Sequence, residues 1–133
     1  MATWKTFEDI EAWQRARQLS QEIYSLTLLG SFAKDFGLRD QINRASGSIM
    51  DNIAEGFDRG GKKEFINFLS YAKGSAGEVK SQLYRALDRE YIEKIHFEKL
   101  FKETDELGKM IAGLMNYLNK SEYQGLKFKD RVE

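Results

Sequence analysis

The sequence predicts an all-α protein, an up-down-up-down antiparallel four-helix bundle. Three observations lead there. Apolar residues recur at alternating spacings of three and four in four segments, the period of a helix with one buried face. Glycine-rich and polar clusters separate those segments, and connections that short force neighbouring helices to run antiparallel. Proline is absent, so no segment is interrupted by one. No segment alternates every second residue, as a half-buried strand would.

The first helix is expected from Phe7 to Leu28, with the stripe Ile10, Trp13, Ala16, Leu19, Ile23 and Leu26. Thr6 and Asp9 resemble a capping box in which Asp replaces the usual Glu. Gly30 to Gly37 forms the first connection. The second helix is expected from Leu38 to Phe57, with Leu38, Ile42, Ala45, Ile49 and Ile53 inward. Asp58-Arg59-Gly60-Gly61 makes the turn into a third helix from Lys63 to Asp88. Its stripe is Phe65, Phe68, Leu69, Ala72, Ala76, Val79, Leu83 and Leu87. Glu90 to Ile95 connects to a fourth helix from His96 to Lys120, with Phe97, Leu100, Thr104, Leu107, Ile111, Leu114 and Leu118 inward. Residues 1–120 thus form one domain, and the polar segment from Ser121 to Glu133 is expected to be a loose tail.

Composition removes several function classes. With no cysteine, disulfides, zinc-thiolate sites, iron–sulfur clusters and thiol catalysis are excluded. Met1 to Ile10 is charged and lacks an apolar run, so no signal peptide is expected, and no apolar stretch reaches the ~18 residues of a membrane span. A reducing cytoplasm is the expected compartment. Lys+Arg and Asp+Glu number 21 each. That balance argues against strong general nucleic-acid binding, which draws most of its affinity from phosphate contacts, but it leaves room for a local basic patch.

The second and third helices break the rules of a plain bundle. Ala45-Ser46-Gly47-Ser48 and Gly74-Ser75-Ala76-Gly77 place glycines in helix interiors, at about 1 kcal/mol each against alanine. With the hinge at Asp58–Gly61, facing residues sum to about 120, so the two small-residue runs meet at one level. Either the two helices pack closely there, or another subunit's backbone approaches them. Asn52 falls where the next apolar residue of its stripe is due, and a buried amide needs partners. Glu78 lies on the line Glu64, Tyr71, Glu78 and Arg85, facing the level of Ile42 and Arg44. It is read as a solvated side chain, a partner of Arg44, or a subunit contact. Tyr24, Phe57, Tyr71, Tyr84 and Phe101 lie off the main stripes.

These same residues carry a family resemblance. Asn52-Ile53-Ala54-Glu55-Gly56, then Arg59, then Glu64-Phe65 and Phe68-Leu69, then Gly74-Ser75 and Glu78, resembles the signature of the 23S rRNA intervening-sequence proteins, also called four-helix bundle proteins. Phe7 to Trp13 with Ala16 and Leu19 is similar to that family's opening helix, and Leu38, Gln41, Ala45, Ser48 and Ile49 to its second. Two departures are Ala33, where the family commonly has proline, and the Asp58–Gly61 turn, which usually carries a Gly-Arg pair and a serine. The resemblance implies a cytoplasmic, bacterial-type bundle that assembles as a ring-like homopentamer and has no established enzymatic activity. It also implies kinship with the accessory proteins of diversity-generating retroelements, which bind a reverse transcriptase and nucleic acid. Those relatives are strongly basic and this chain is neutral.

Candidate chemistry is sparse. Glu93 and His96 form the Glu-x-x-His spacing of di-iron bundles, but that site needs two such motifs and the chain has one histidine. Arg89 and His96 are spaced as in the HEPN ribonucleases, although they fall on a helix connection. That ribonuclease is the alternative function; the plainer reading of His96 is a surface residue opening the fourth helix. Arg59, Lys62 and Lys63 around Gly60-Gly61 are the candidate phosphate contacts, and equally an ordinary basic turn. Tyr71, Gly74 and Glu78 are the candidate subunit contacts. No cofactor or metal is expected. The sequence therefore points to a non-catalytic, homo-oligomeric scaffold whose partners are copies of itself and RNA or a nucleic-acid-processing protein.

Overall fold

The computed structural model describes residues 4–120. The expected tail from Ser121 to Glu133 lies outside the described residues. Four helices make an antiparallel bundle: α1 (Glu11–Thr27), α2 (Phe36–Asp58), α3 (Lys62–Asp88) and α4 (Lys94–Lys120). No strand occurs among the described residues, and no helix is long and apolar enough to cross a membrane. The most extensive contact joins α2 to α3, followed by α3 to α4; of the neighbouring pairs, α1 and α4 touch least. The core is one cluster built from the predicted stripes, with Ile42, Ile49, Leu69, Val79 and Ile111 fully enclosed.

The first helix begins later than its apolar period suggests. Phe7–Asp9 is a separate 3₁₀ turn, ended by extended backbone at Ile10. The Asp9 carboxylate completes the expected capping box at the start of this turn, accepting the N–H groups of Lys5 at 2.8 Å and Thr6 at 3.2 Å. Ile10 still plugs the core, so the apolar spacing survives a change of backbone.

The first connection contains structure that the glycines concealed. Gly30 turns the chain with φ +52°, and a 3₁₀ turn at Phe32–Lys34 then buries Phe32. Asp35 caps α2 by accepting the Leu38 N–H at 3.1 Å. At the second connection Gly60 has φ +89°, a conformation that favours glycine, which lets α3 start directly after Gly61. At the third, the Tyr91 N–H reaches back to the Ala86 carbonyl and the Glu90 N–H to that of Leu87, both at 2.9 Å. This is a Schellman cap, with Glu90 at φ 60° where glycine is usual.

Five residues are placed otherwise than their stripes predict. Phe57 is not off the core but inside it, 2% exposed, because Trp4 and Phe65 pack edge-on against it. Leu26, Phe68, Leu87 and Leu114 are only half-buried, since each sits at the edge of its stripe.

Candidate functional site at the seam of α2 and α3

The signature residues converge on one seam. Gly56 is its tightest point. A Cβ added there would lie 2.6 Å from the Phe68 Cβ and 3.2 Å from the Phe65 Cδ1, so only a glycine lets α2 and α3 approach this closely. Ile53, Phe65 and Leu69 beside it are core residues, and Ala54 is half-buried.

Two turns further on, Ser48 and Ser75 of the two small-residue runs meet, as the hinge arithmetic requires. Ser75 Oγ donates to Ser48 Oγ at 3.0 Å across the seam. Asn52 Nδ2 donates to Ser48 Oγ at 2.9 Å and to the Ser48 carbonyl at 2.8 Å, which satisfies the amide that interrupts the stripe. The contact across the seam is made by Ser48 and Ser75; Ser46 bonds the Asn43 carbonyl of its own helix, and Ala76 lies beside Gly108 of α4. The glycines do not make it: a Cβ on Gly47, Gly74 or Gly77 would meet nothing within 4 Å. Close packing of α2 on α3 therefore accounts for Ser48 and Ser75 and leaves those three glycines without an intramolecular reason.

The outer edge of the seam is polar along its length. Arg59 donates to Glu55 at 2.8 Å and lies 5.1 Å over the Phe68 ring. Arg85 donates to Gln41 at 2.7 Å. At the far end Asp35 accepts from Arg89 and from the Tyr91 hydroxyl, each at 2.8 Å. Those bonds, led by the one from the Leu38 N–H, hold the Asp35 carboxyl below its ordinary range. The same carboxylate, as acceptor of its hydroxyl proton, pushes Tyr91 up. Tyr91 stacks on Phe32, so this cluster locks the first connection to the third. Only the capping position of Asp35 could have announced it in the sequence; nothing local marks Arg89 or Tyr91 as its partners.

The remaining candidates fall around this seam. Tyr71 is 52% exposed, with its ring edge-on to Phe68 and its hydroxyl accepting from Asn67 at 3.2 Å. Gly74 and Glu78 are exposed on the same helix. Arg44 and Glu78 form no ion pair among the described residues, which removes the intrachain partner considered for Glu78. Glu64 and Lys63 are exposed at the start of α3 and Lys62 is half-buried. Of the three candidate phosphate contacts, Arg59 already has its charge offset by Glu55.

Arg89 and His96 do not come together through any shared partner. Arg89 is held by Asp35, whereas His96 opens α4, 4.0 Å from Glu93, and lines an open groove between α1 and α4 with Trp13, Leu26, Leu29 and Leu100. Lys99 spans that groove to Glu22 and also bonds Glu103, and these acceptors raise its pKa. No group of three or more potential metal ligands occurs among the described residues.

Comparison with known proteins agrees with the bundle. The family model described as 23S rRNA-intervening sequence protein matches residues 8–113. No curated protein matches the chain. Among solved structures, a protein of unknown function from the S23 ribosomal protein family of Bacteroides thetaiotaomicron superposes with a TM-score of 0.72. It is 23% identical, and the match covers 79% of this chain and 95% of that one. At that identity the likeness shows the fold.

Proposed function

The chain belongs to the 23S rRNA-intervening sequence protein family, and from that premise we propose that it is a non-catalytic, homo-oligomeric scaffold. Its work is done by surfaces rather than by a reaction centre. One observation carries this reading: Gly74 and Gly77 stand on the exposed side of α3 with open space around them, beside an exposed Tyr71. A helix that loses about 1 kcal/mol at each such glycine gains nothing from it as a monomer. A second chain lying close to α3 turns the loss into contact area, with Tyr71 as an aromatic anchor. A ring-like pentamer is the assembly we propose.

The scaffold's client is RNA or a nucleic-acid-processing protein, presented with the turn at Arg59, Lys62 and Lys63. A closed ring repeats that turn once per copy. A turn too weak in a neutral monomer thereby becomes a multivalent surface. Binding of RNA at low salt, followed as salt is raised, tests this. Replacing all three residues by alanine should weaken binding and flatten the salt dependence, because each lost phosphate contact removes counterion release. Wild-type protein that binds no RNA at low salt, and captures no nucleic-acid-processing protein, overturns the client assignment.

A further inference from the structure

The two ends of the bundle are finished differently. At the end that holds the Asp58–Gly61 turn, aromatic rings close over one another: Trp4 lies edge-on to Phe57, Phe65 and Tyr117 at 6.4, 6.4 and 6.2 Å. At the other end, which holds the first and third connections, four large apolar side chains stand in solvent. Leu28 and Leu29 follow α1, Phe36 opens α2 and Ile95 lies in the first turn of α4; they are 52%, 62%, 63% and 70% exposed. Tyr24, one turn before Leu28, is exposed as well. Away from this end, only Tyr71 and Tyr84 are large, apolar and comparably exposed among the described residues. Single exposed apolar residues are ordinary, whereas a group of them at one end marks a contact surface.

This end is rigid and acidic. The Asp35 cluster and the Phe32–Tyr91 stack tie its two connections together. Arg39 donates to the Ala33 carbonyl at 2.9 Å and lies 4.8 Å over the Phe36 ring, so that exposed ring is held too. A surface already ordered loses little freedom when it is covered. Residues 28–36 and 88–98 together carry five acids, Asp35, Asp88, Glu90, Glu93 and Glu98, against the bases Lys34, Arg89 and Lys94. Arg39 and Asp40, 4.0 Å apart, offset each other, and Lys99 is held between Glu22 and Glu103. Asp88 and Glu90 are exposed and in no ion pair among the described residues. Glu90 also keeps its carboxylate on left-handed backbone, φ 60°, where a glycine would be unstrained.

We propose that this end docks an amphipathic helix of a partner protein, its apolar stripe on Leu28, Leu29, Phe36 and Ile95 and its basic residues over Glu90 and Glu93. Charge decides among the occupants. The excess of acid repels phosphate, whether in RNA or in an anionic lipid surface. A second copy docked end to end would set like charges against each other. No strand occurs among the described residues, so no sheet edge is offered to an extended peptide. A helix reads an apolar surface through anchors at i, i+3, i+4 and i+7, and lysine or arginine beside that stripe finds the carboxylates of the third connection. The candidate phosphate contacts of the Asp58–Gly61 turn lie at the opposite end of the bundle, and the glycines behind the proposed self-association lie on the side of α3. This docking surface therefore stands or falls apart from both.

The test uses the full chain and a designed helical peptide, with leucine at i, i+3, i+4 and i+7 and lysine on both flanks of that stripe. A twin peptide carries glutamate in place of lysine. Fluorescence anisotropy should show the lysine peptide binding about tenfold tighter than its twin or better, with the difference shrinking as salt rises. Leu29→Ser together with Ile95→Ser should weaken the lysine peptide about tenfold or more and leave helix content and melting unchanged, since both side chains are exposed. Glu90→Lys together with Glu93→Lys should reverse the preference between the two peptides, which a surface that is only apolar would not do. Wild-type protein that binds neither peptide, or binds both alike, overturns the proposal. So does wild-type binding to phosphatidylserine vesicles, which would assign the patch to a membrane. A change in the mass of the assembly when Leu29→Ser and Ile95→Ser are introduced overturns it too, because the patch would then be covered by another copy.

Discussion

Adding one methyl group at Gly56 probes the closest approach in the bundle. The new Cβ would meet the Phe68 Cβ at 2.6 Å, an atom fixed to its backbone that cannot swing aside. Gly56→Ala should therefore destabilise by about 1–3 kcal/mol, the range of core overpacking, although alanine is the better helix former. Chemical denaturation measures it; an unchanged or higher midpoint would mean that the helices part more easily than drawn. Asp35 makes a second residue-scale test. Its carboxyl is held below the ordinary 3.8 by the Leu38 N–H, the Tyr91 hydroxyl and Arg89. The stability it contributes is thus present above the ordinary carboxylate pKa and is lost as pH falls through the lowered value. Asp35→Asn should reduce stability at neutral pH and flatten the acid limb of the stability profile. Wild type and variant losing stability in parallel through the acid range would show that the cluster does not hold the connections together. Neither residue stood out equally in the sequence. Gly56 was visible inside a motif, though not its reason, which is a steric contact across 12 positions between Gly56 and Phe68. The triad at Asp35 joins residues 54 and 56 positions apart, and no local pattern encodes such a contact.

At the scale of elements, apolar period located all four helices, because each buries one stripe and the period of that stripe is a property of the sequence itself. Boundaries depend on hydrogen bonds that period does not register. The start of α1 lies later than the period suggests because the Phe7–Asp9 turn, capped through Asp9, gives way to extended backbone at Ile10. The glycines of the first connection hide Phe32, which stacks on the distant Tyr91. The end of α3 holds the remaining surprise. Glu90 occupies the left-handed position of a Schellman cap, where an L side chain costs roughly 1 kcal/mol and glycine costs little. Glu90→Gly should stabilise the protein by about 0.5–1 kcal/mol, partly offset by the added freedom of the unfolded chain. A loss of stability of that size would indicate that the Glu90 side chain has a role its exposed position does not suggest.

For the whole molecule, the account turns on what the outside of α3 is for. The inside is explained: stripes make the core, Gly56 sets the spacing of α2 and α3, and Ser48, Ser75 and Asn52 satisfy one another. That part was legible because burial and helical period are linked. The outside of α3 was legible only as a breach of rule, since glycine and tyrosine at exposed helical sites say that something is accommodated without saying what. The absence of any atom within 4 Å of a Cβ at Gly74 leaves an intermolecular reason as the one we propose. Static light scattering on the wild-type protein at micromolar concentration tests this most directly. The account predicts the mass of a closed homo-oligomer, a pentamer of the 15.4 kDa chain, unchanged on moderate dilution. The mass of a single chain would contradict it.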